Sequence, residues 1–192
     1  MLSSRSLNAF ILGCVVLTGG CDRESGQKAQ PAASGPEASG NTEPATGLFD
    51  RSHKGSALPD FLLKDPAGKE LQLASLKGKP LLINLWATWC APCVAELPAL
   101  NRLATARGDS LKVLTISQDM AKPEAIAPFL QERGVTRLEP WIDPAGDLAM
   151  QYDVQTLPTT IYYDATGHEV WRLTGAHDWT STDTAALLAE AR

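Results

Sequence analysis

After residue 58 the apolar residues follow two periodicities, separated by clusters of turn-forming residues. "FLLKDPAGKELQL", residues 61–73, alternates on either side of Asp65-Pro66-Ala67-Gly68, which predicts a β-hairpin. "SLKGK", Ser75 to Lys79, predicts a loop. "PLLINLW" is a continuous apolar run too short for a helix here, which predicts a buried strand, and "LKVLTIS" predicts a second buried strand. Between them Val94, Leu97, Leu100, Leu103 and Ala104 recur at helical spacing, which predicts a helix over Cys93–Ala106 with a kink at Pro98. A second helix is expected over Pro123–Arg133, opened by Pro123 and closed by Gly134, and a short one over Asp147–Asp153. "TTIYYD" and "HEVWRL" predict two strands about the turn Ala165-Thr166-Gly167. A last helix is expected over Ser181–Ala191, capped by Ser181 or Thr182. This order predicts an α/β fold, a mixed β-sheet flanked by helices, in one domain over residues 48–192.

The N-terminal pattern is different. Arg5 is the only charge before Asp22, an apolar run with one interruption covers Leu7–Leu17, and the small residues Thr18-Gly19-Gly20 precede Cys21. That is the layout of a secretory signal peptide over residues 1–20, and the run is short for a membrane span, which needs about 20 apolar residues. The small residues ending on Cys21 resemble the lipobox of bacterial lipoproteins, with Thr18 standing where that family usually has leucine. The resemblance implies lipidation of Cys21; an uncleaved anchor and release as a soluble protein are the alternatives. Asp22 to Gly47 holds no Val, Leu, Ile, Met or aromatic residue, so residues 21–47 read as a disordered tether behind the lipid. The net charge is −5, and losing Arg5 with a signal makes it one more negative. There is no basic run, which argues against nucleic acid as a partner and against a polybasic membrane patch.

Of the four cysteines, Cys14 would leave with the signal and Cys21 would carry the lipid, so Cys90 and Cys93 remain, two residues apart. They fall where the first central strand gives way to a helix, and chemistry in open α/β sheets gathers at the carboxyl ends of strands. A cysteine at a helix N-terminus is stabilised as thiolate by the macrodipole and by unpaired N–H groups. Cys90 takes that place. Cys93, one turn inward on the same face, is placed to resolve a mixed disulfide on Cys90, and Pro92 fits the first helical turn. A plain Cys90–Cys93 staple would stabilise by only about 2 kcal/mol, because the loop is so short. A zinc site needs about four ligands, and His53, His168 and His177 are scattered. Thiol peroxidases resemble Pro-x-x-x-Thr-x-x-Cys, and this chain has Ile83 and Ala87 at those positions.

"LKGKPLLINLWATWCAPCVAELPAL" together with "LPTTIYYDATGHEVWRLTGAHDW" resembles the thioredoxin superfamily, and more closely the membrane-anchored TlpA/ResA-type thiol–disulfide oxidoreductases. The resemblance implies a thioredoxin-like fold, here with an N-terminal β-hairpin extension. It implies a redox-active Cys90–Cys93 disulfide and a cis Leu157–Pro158 bond facing it. Leu157, Pro158 and Thr159 would then bind an extended client segment by a short β-augmentation, and Gly175-Ala176 would border the same groove. Trp89 would either wall that groove or pack into the core. Thioredoxin has a buried aspartate where this chain has Asn84, which cannot titrate, so another group must take the proton of the resolving thiol. Glu96 follows Cys93 by three residues, on one helical face, and TlpA/ResA-type proteins carry an acid there. Glu96 is therefore the candidate acid/base, its alternative being a solvated glutamate near a helix N-terminus.

Ala91-Pro92 puts neither charge nor donor between the cysteines, so the couple is expected to be relatively reducing. The expected activity is reduction of disulfides in extracytoplasmic client proteins of the cytochrome c or copper-oxidase maturation type. The expected partners are such a client, a membrane thiol-electron donor and the membrane itself, on the periplasmic side of the bacterial inner membrane. No cofactor is expected, and the chain is expected to act as a monomer. The competing readings are a thioredoxin-fold copper metallochaperone using the two cysteines and His177, whose relatives resemble Cys-x-x-x-Cys, and a redox-dead binding module.

Overall fold

The structure is a computed structural model that describes residues 47–191. The signal peptide of residues 1–20, the lipid site Cys21 and all but the last residue of the 21–47 tether lie outside the described residues.

The strands are β1 (Leu48–Asp50), β2 (Leu62–Lys64), β3 (Glu70–Gln72), β4 (Leu81–Trp86), β5 (Lys112–Ser117), β6 (Trp141–Ile142), β7 (Thr159–Tyr163) and β8 (Glu169–Thr174). The helices are α1 (Ala91–Arg107), α2 (Ile126–Glu132), α3 (Asp147–Gln151) and α4 (Thr182–Ala189). One sheet runs in the order β1-β8-β7-β4-β5-β6-β2-β3. β4, β5 and β6 are parallel and the other pairings are antiparallel, so the sheet is mixed, as the element order predicts.

Both faces of the sheet are covered. In β4 the side chains alternate with period two: Leu82 and Trp86 enter the core that includes Leu97 and Leu100 of α1, Leu130 of α2 and Leu188 of α4. Leu81, Ile83 and Leu85 enter the opposite core, with Leu63 of the hairpin and Leu148 of α3. Coverage on both sides explains why β4 reads as a nearly continuous apolar run. It also puts Asn84 on the α1 side, the one polar residue of a fully buried strand.

Several expectations shift. The first helix begins at Ala91, two residues before the predicted start, because Cys90 caps it and Pro92 is tolerated in its first turn. It continues through Pro98, which sits on its exposed face. The predicted loop at Ser75–Lys79 is partly a 3-10 turn over Leu73–Leu76, which buries Leu73. The Pro123–Arg133 helix divides into a 3-10 turn, Pro123–Ala125, and α2. α3 and α4 are shorter than predicted at their ends, and Ser181 precedes α4 without a side-chain capping bond. β1 and β6 have no counterpart in the sequence expectation. β1 is three residues long and pairs with β8, Leu48 opposite Thr174, so its partner lies far along the chain. Phe49 then packs edge-on against Trp171, with ring centroids 5.3 Å apart.

Candidate active site

β4 ends at Trp86. The chain then turns through Ala87–Cys90, closed by a bond from Cys90 N–H to Ala87 C=O at 3.1 Å, and enters α1. Cys90 is the N-cap, and its Sγ accepts a hydrogen bond from Cys93 N–H at 3.3 Å. A donor aimed at this sulfur, at the positive end of the helix, favours its thiolate in the reduced form. Cys90 and Cys93 are joined as a disulfide with 5.3 Å between their Cα atoms. Cys90 is 6% exposed and Cys93 fully buried, so a thiol attack from outside can reach only the first sulfur.

The Leu157–Pro158 peptide bond is cis. Leu85 pairs with Thr159, so continuing the antiparallel register sets Pro158 opposite Trp86, at the end of β4 from which the cysteine loop springs. The Pro158 carbonyl is held by Gly175 N–H at 2.8 Å, and Thr159 Oγ1 donates to Thr156 C=O at 2.6 Å. Among the described residues no hydrogen bond engages the Leu157 main chain. Gly175 has φ +96°, a conformation that an L side chain resists, and a Cβ there would meet Gly47 Cα at 3.3 Å.

Two grooves flank the cysteine loop. One, of about 450 Å³, is lined by Trp89, Gln118, Ala149, Gln155, Thr156 and Leu157. Trp89 is 71% exposed and walls this groove, so core packing is excluded. The other, of about 390 Å³, is lined by Pro92, Glu96, Arg102, Ala176, His177 and Asp178, among others. Of Gly175-Ala176, Ala176 thus lines the second groove, while Leu157 lines the first.

Glu96 is 6% exposed, which removes the solvated-glutamate alternative. Its Oε1 accepts from Asn84 Nδ2 at 2.7 Å. Its Oε2 accepts from Trp179 Nε1 at 3.1 Å and from His177 N–H at 3.3 Å. Burial pushes its pKa up to about 7, and the three donors hold it from rising further. Asn84 Nδ2 also donates to Thr160 Oγ1 at 3.1 Å, while Asn84 Oδ1 has no partner among the described residues. The imidazole of His177 faces Thr184 Oγ1 at 3.1 Å and packs edge-on against Trp179, and burial lowers its pKa. Asn84, His177 and Trp179 are thus part of the carboxyl environment. The sequence marks Asn84 only as a group that cannot titrate, and it carries no local signal for Trp179, which lies 83 residues from Glu96.

The sequence profile of the AhpC/TSA family matches residues 54–170. The thiol–disulfide oxidoreductase ResA of Bacillus subtilis is 32% identical over 123 residues, covering 64% of this chain and 68% of that protein. The thioredoxin-like protein YneN of the same organism is 34% identical over 116 residues, covering 59% and 67%. Among solved structures, the exposed lipoprotein thioredoxin of Streptococcus pneumoniae superposes with a TM-score of 0.59 at 28% identity, covering 67% of this chain and 98% of that one. With a buried Cys90–Cys93 disulfide at a helix N-terminus and these matches, the chain belongs to the AhpC/TSA family and to the ResA-type thiol–disulfide oxidoreductases.

Proposed function

We propose that this chain is a reductase of disulfides in extracytoplasmic client proteins. The observation that carries the reading is the Cys90 sulfur at the N-terminus of α1, the more exposed of the two at 6%, with the unengaged Leu157 main chain beside the same loop. An extended client segment would pair with the Leu157 N–H and C=O, using Pro158 and Thr159 as its floor and Trp89 as its wall. The Cys90 thiolate attacks one client sulfur; an S–S bond forms to Cys90 and the other client sulfur leaves as thiolate. Cys93 then gives its proton to Glu96 and attacks Cys90 Sγ. The Cys90–Cys93 disulfide forms, the second client sulfur leaves, and solvent and the Glu96 carboxyl supply the two protons of the client dithiol. Two electrons pass to the client, and the oxidised chain needs a thiol donor. Glu96 suits the proton step because a pKa of about 7 matches neutral pH.

Outside the cytosol disulfides persist, so such a reductase must be recharged by a membrane thiol-electron donor. The clients proposed are the cysteine pairs of apocytochrome c or of respiratory copper sites. In this reading the chain carries a signal over 1–20, a lipid on Cys21, a tether to residue 47 and a periplasmic redox domain. A lipoprotein among the structural relatives supports the anchor.

The Cys93→Ala variant tests this reading. It is expected to stall as a mixed disulfide on Cys90, recoverable from the membrane fraction and released from that fraction by adding Cys21→Ser. Absence of any Cys90-dependent adduct in the native host would defeat it. With no charge between the cysteines, the potential is expected nearer about −270 mV than about −120 mV, and a value above about −170 mV would reverse the electron flow.

A further inference from the structure

Asp119 lies two residues beyond β5, is 7% exposed, and has no part in the mechanism above. Its carboxylate gathers three donors. Oδ2 accepts from Thr88 N–H at 2.9 Å and from Ser117 Oγ at 2.7 Å, and Oδ1 accepts from Thr88 Oγ1 at 2.6 Å. Ser117 Oγ in turn accepts from Asp119 N–H at 3.1 Å, which holds the carboxylate at its own strand end. Hydrogen bonds to an ionised acceptor are the strong ones, and both groups of Thr88 are engaged at once. Thr88 is the middle of the turn that links β4 to Cys90. The parallel pairing of β4 with β5 brings the two loops side by side, with Gln118 N–H on Trp86 C=O at 2.8 Å.

We infer that Asp119 is a positioning residue for the redox centre. By gripping Thr88 at its main chain and its hydroxyl, it fixes the Ala87–Trp89 turn. That turn sets where Cys90 Sγ stands over the first turn of α1, within reach of Cys93 N–H, and how Trp89 faces its groove. Two walls of that groove, Trp89 and Gln118, are neighbours of the two clipped residues. When the clip is lost, the turn gains freedom, the sulfur spends less time over the helix N-terminus, and the thiolate loses the donor and dipole that favour it. The inference rests on Cys90 being the attacking thiol and is independent of client or direction of electron flow.

The test follows alkylation of Cys90 by iodoacetamide against pH in the reduced full-length protein, a readout that needs no client. A failure of the proposed reductase function would leave it intact. Asp119→Ala removes all three bonds and Thr88→Val only the hydroxyl bond. Asp119→Asn keeps an acceptor for Thr88 N–H and offers a donor to its hydroxyl. The other titratable groups of the site, Glu96 on α1 and His177 and Asp178 beyond β8, remain in every variant. Asp119→Ala is expected to move the midpoint up by about one pH unit or more, which slows alkylation about tenfold at pH values below the wild-type midpoint, with a smaller upward move for Thr88→Val. Asp119→Asn should stay close to wild type. A carboxylate acting only through its charge gives the opposite sign, because removing a nearby negative charge lowers a thiol pKa. Downward shifts in both Asp119 variants would therefore overturn the inference. So would a lower Tm with an unmoved alkylation profile. If Asp119→Ala fails to fold, Thr88→Val decides, and a wild-type profile there rejects the positioning role.

Discussion

Glu96→Gln is expected to make the oxidised protein more stable at pH 8 while slowing its disulfide exchange. The folded carboxyl titrates near 7, above its ordinary value of 4.5. Below the ordinary value both folded and unfolded chains hold the proton, and this group's contribution to stability is fully present. As pH rises the unfolded chain releases the proton first, so the contribution declines and is gone once pH passes the folded value. The separation corresponds to on the order of 3 kcal/mol, of which about 2 to 3 kcal/mol is lost between pH 5 and 8. Little is screened, since the side chain is almost wholly buried. Glutamine fits the site because Asn84 has an unpartnered Oδ1: both amides can turn so that glutamine donates to Asn84 and still accepts from Trp179 and His177. Urea unfolding at the two pH values measures the effect, and equal pH slopes for the two proteins would show an ordinary carboxyl. In stopped-flow exchange with a protein disulfide the variant should be about tenfold slower or more, with a flattened pH profile, the range for losing general acid–base help. An unchanged rate from pH 6 to 8 would assign the proton to water.

Asn84→Asp is the converse experiment. It places a second carboxyl within hydrogen-bond distance of Glu96, in a strand with no solvent exposure. Two buried carboxylates in contact cannot both ionise, so the pair retains one proton to higher pH than either would alone. At pH 5 the shared proton forms a bond between the two groups and Thr160 Oγ1 can donate to the new acid, so the cost is modest. The raised affinity for the proton again gives stability that is present at low pH and lost as pH rises. At pH 8 the loss should reach about 3 kcal/mol or more, the scale of an uncompensated buried charge. Adding Glu96→Gln should recover most of it, because the glutamine amide can donate to the introduced carboxylate. A penalty independent of pH, or no recovery in the double variant, would mean that Asn84 and Glu96 are not coupled as their geometry requires.

Much of this protein could be read from local pattern. The run at 80–86 is apolar but for Asn84 because a sheet strand covered on both faces buries its side chains on each, and the helical spacing after Cys93 marks one face of α1. The strand-to-helix junction places Cys90 as the cap and Cys93 one turn inward, so the dithiol chemistry follows from sequence neighbours alone. The environment of Glu96 does not. Helical spacing can set it near Cys93, but the burial that raises its pKa, and the donors that check that rise, Asn84 on β4 and Trp179 and His177 past β8, come from the closed fold. Likewise Asp119 meets Thr88 only because β4 and β5 lie parallel, 31 residues apart in sequence. β1 and β6 are too short for any periodicity and exist as strands only through partners distant in the chain. Trp89 shows the same division: its indole could have filled the core or walled a groove, and the direction of one turn decides for the groove. Periodicity records which residues a chain can bury along one element, whereas the protonation and aim of a side chain depend on groups that arrive from other elements when the sheet closes.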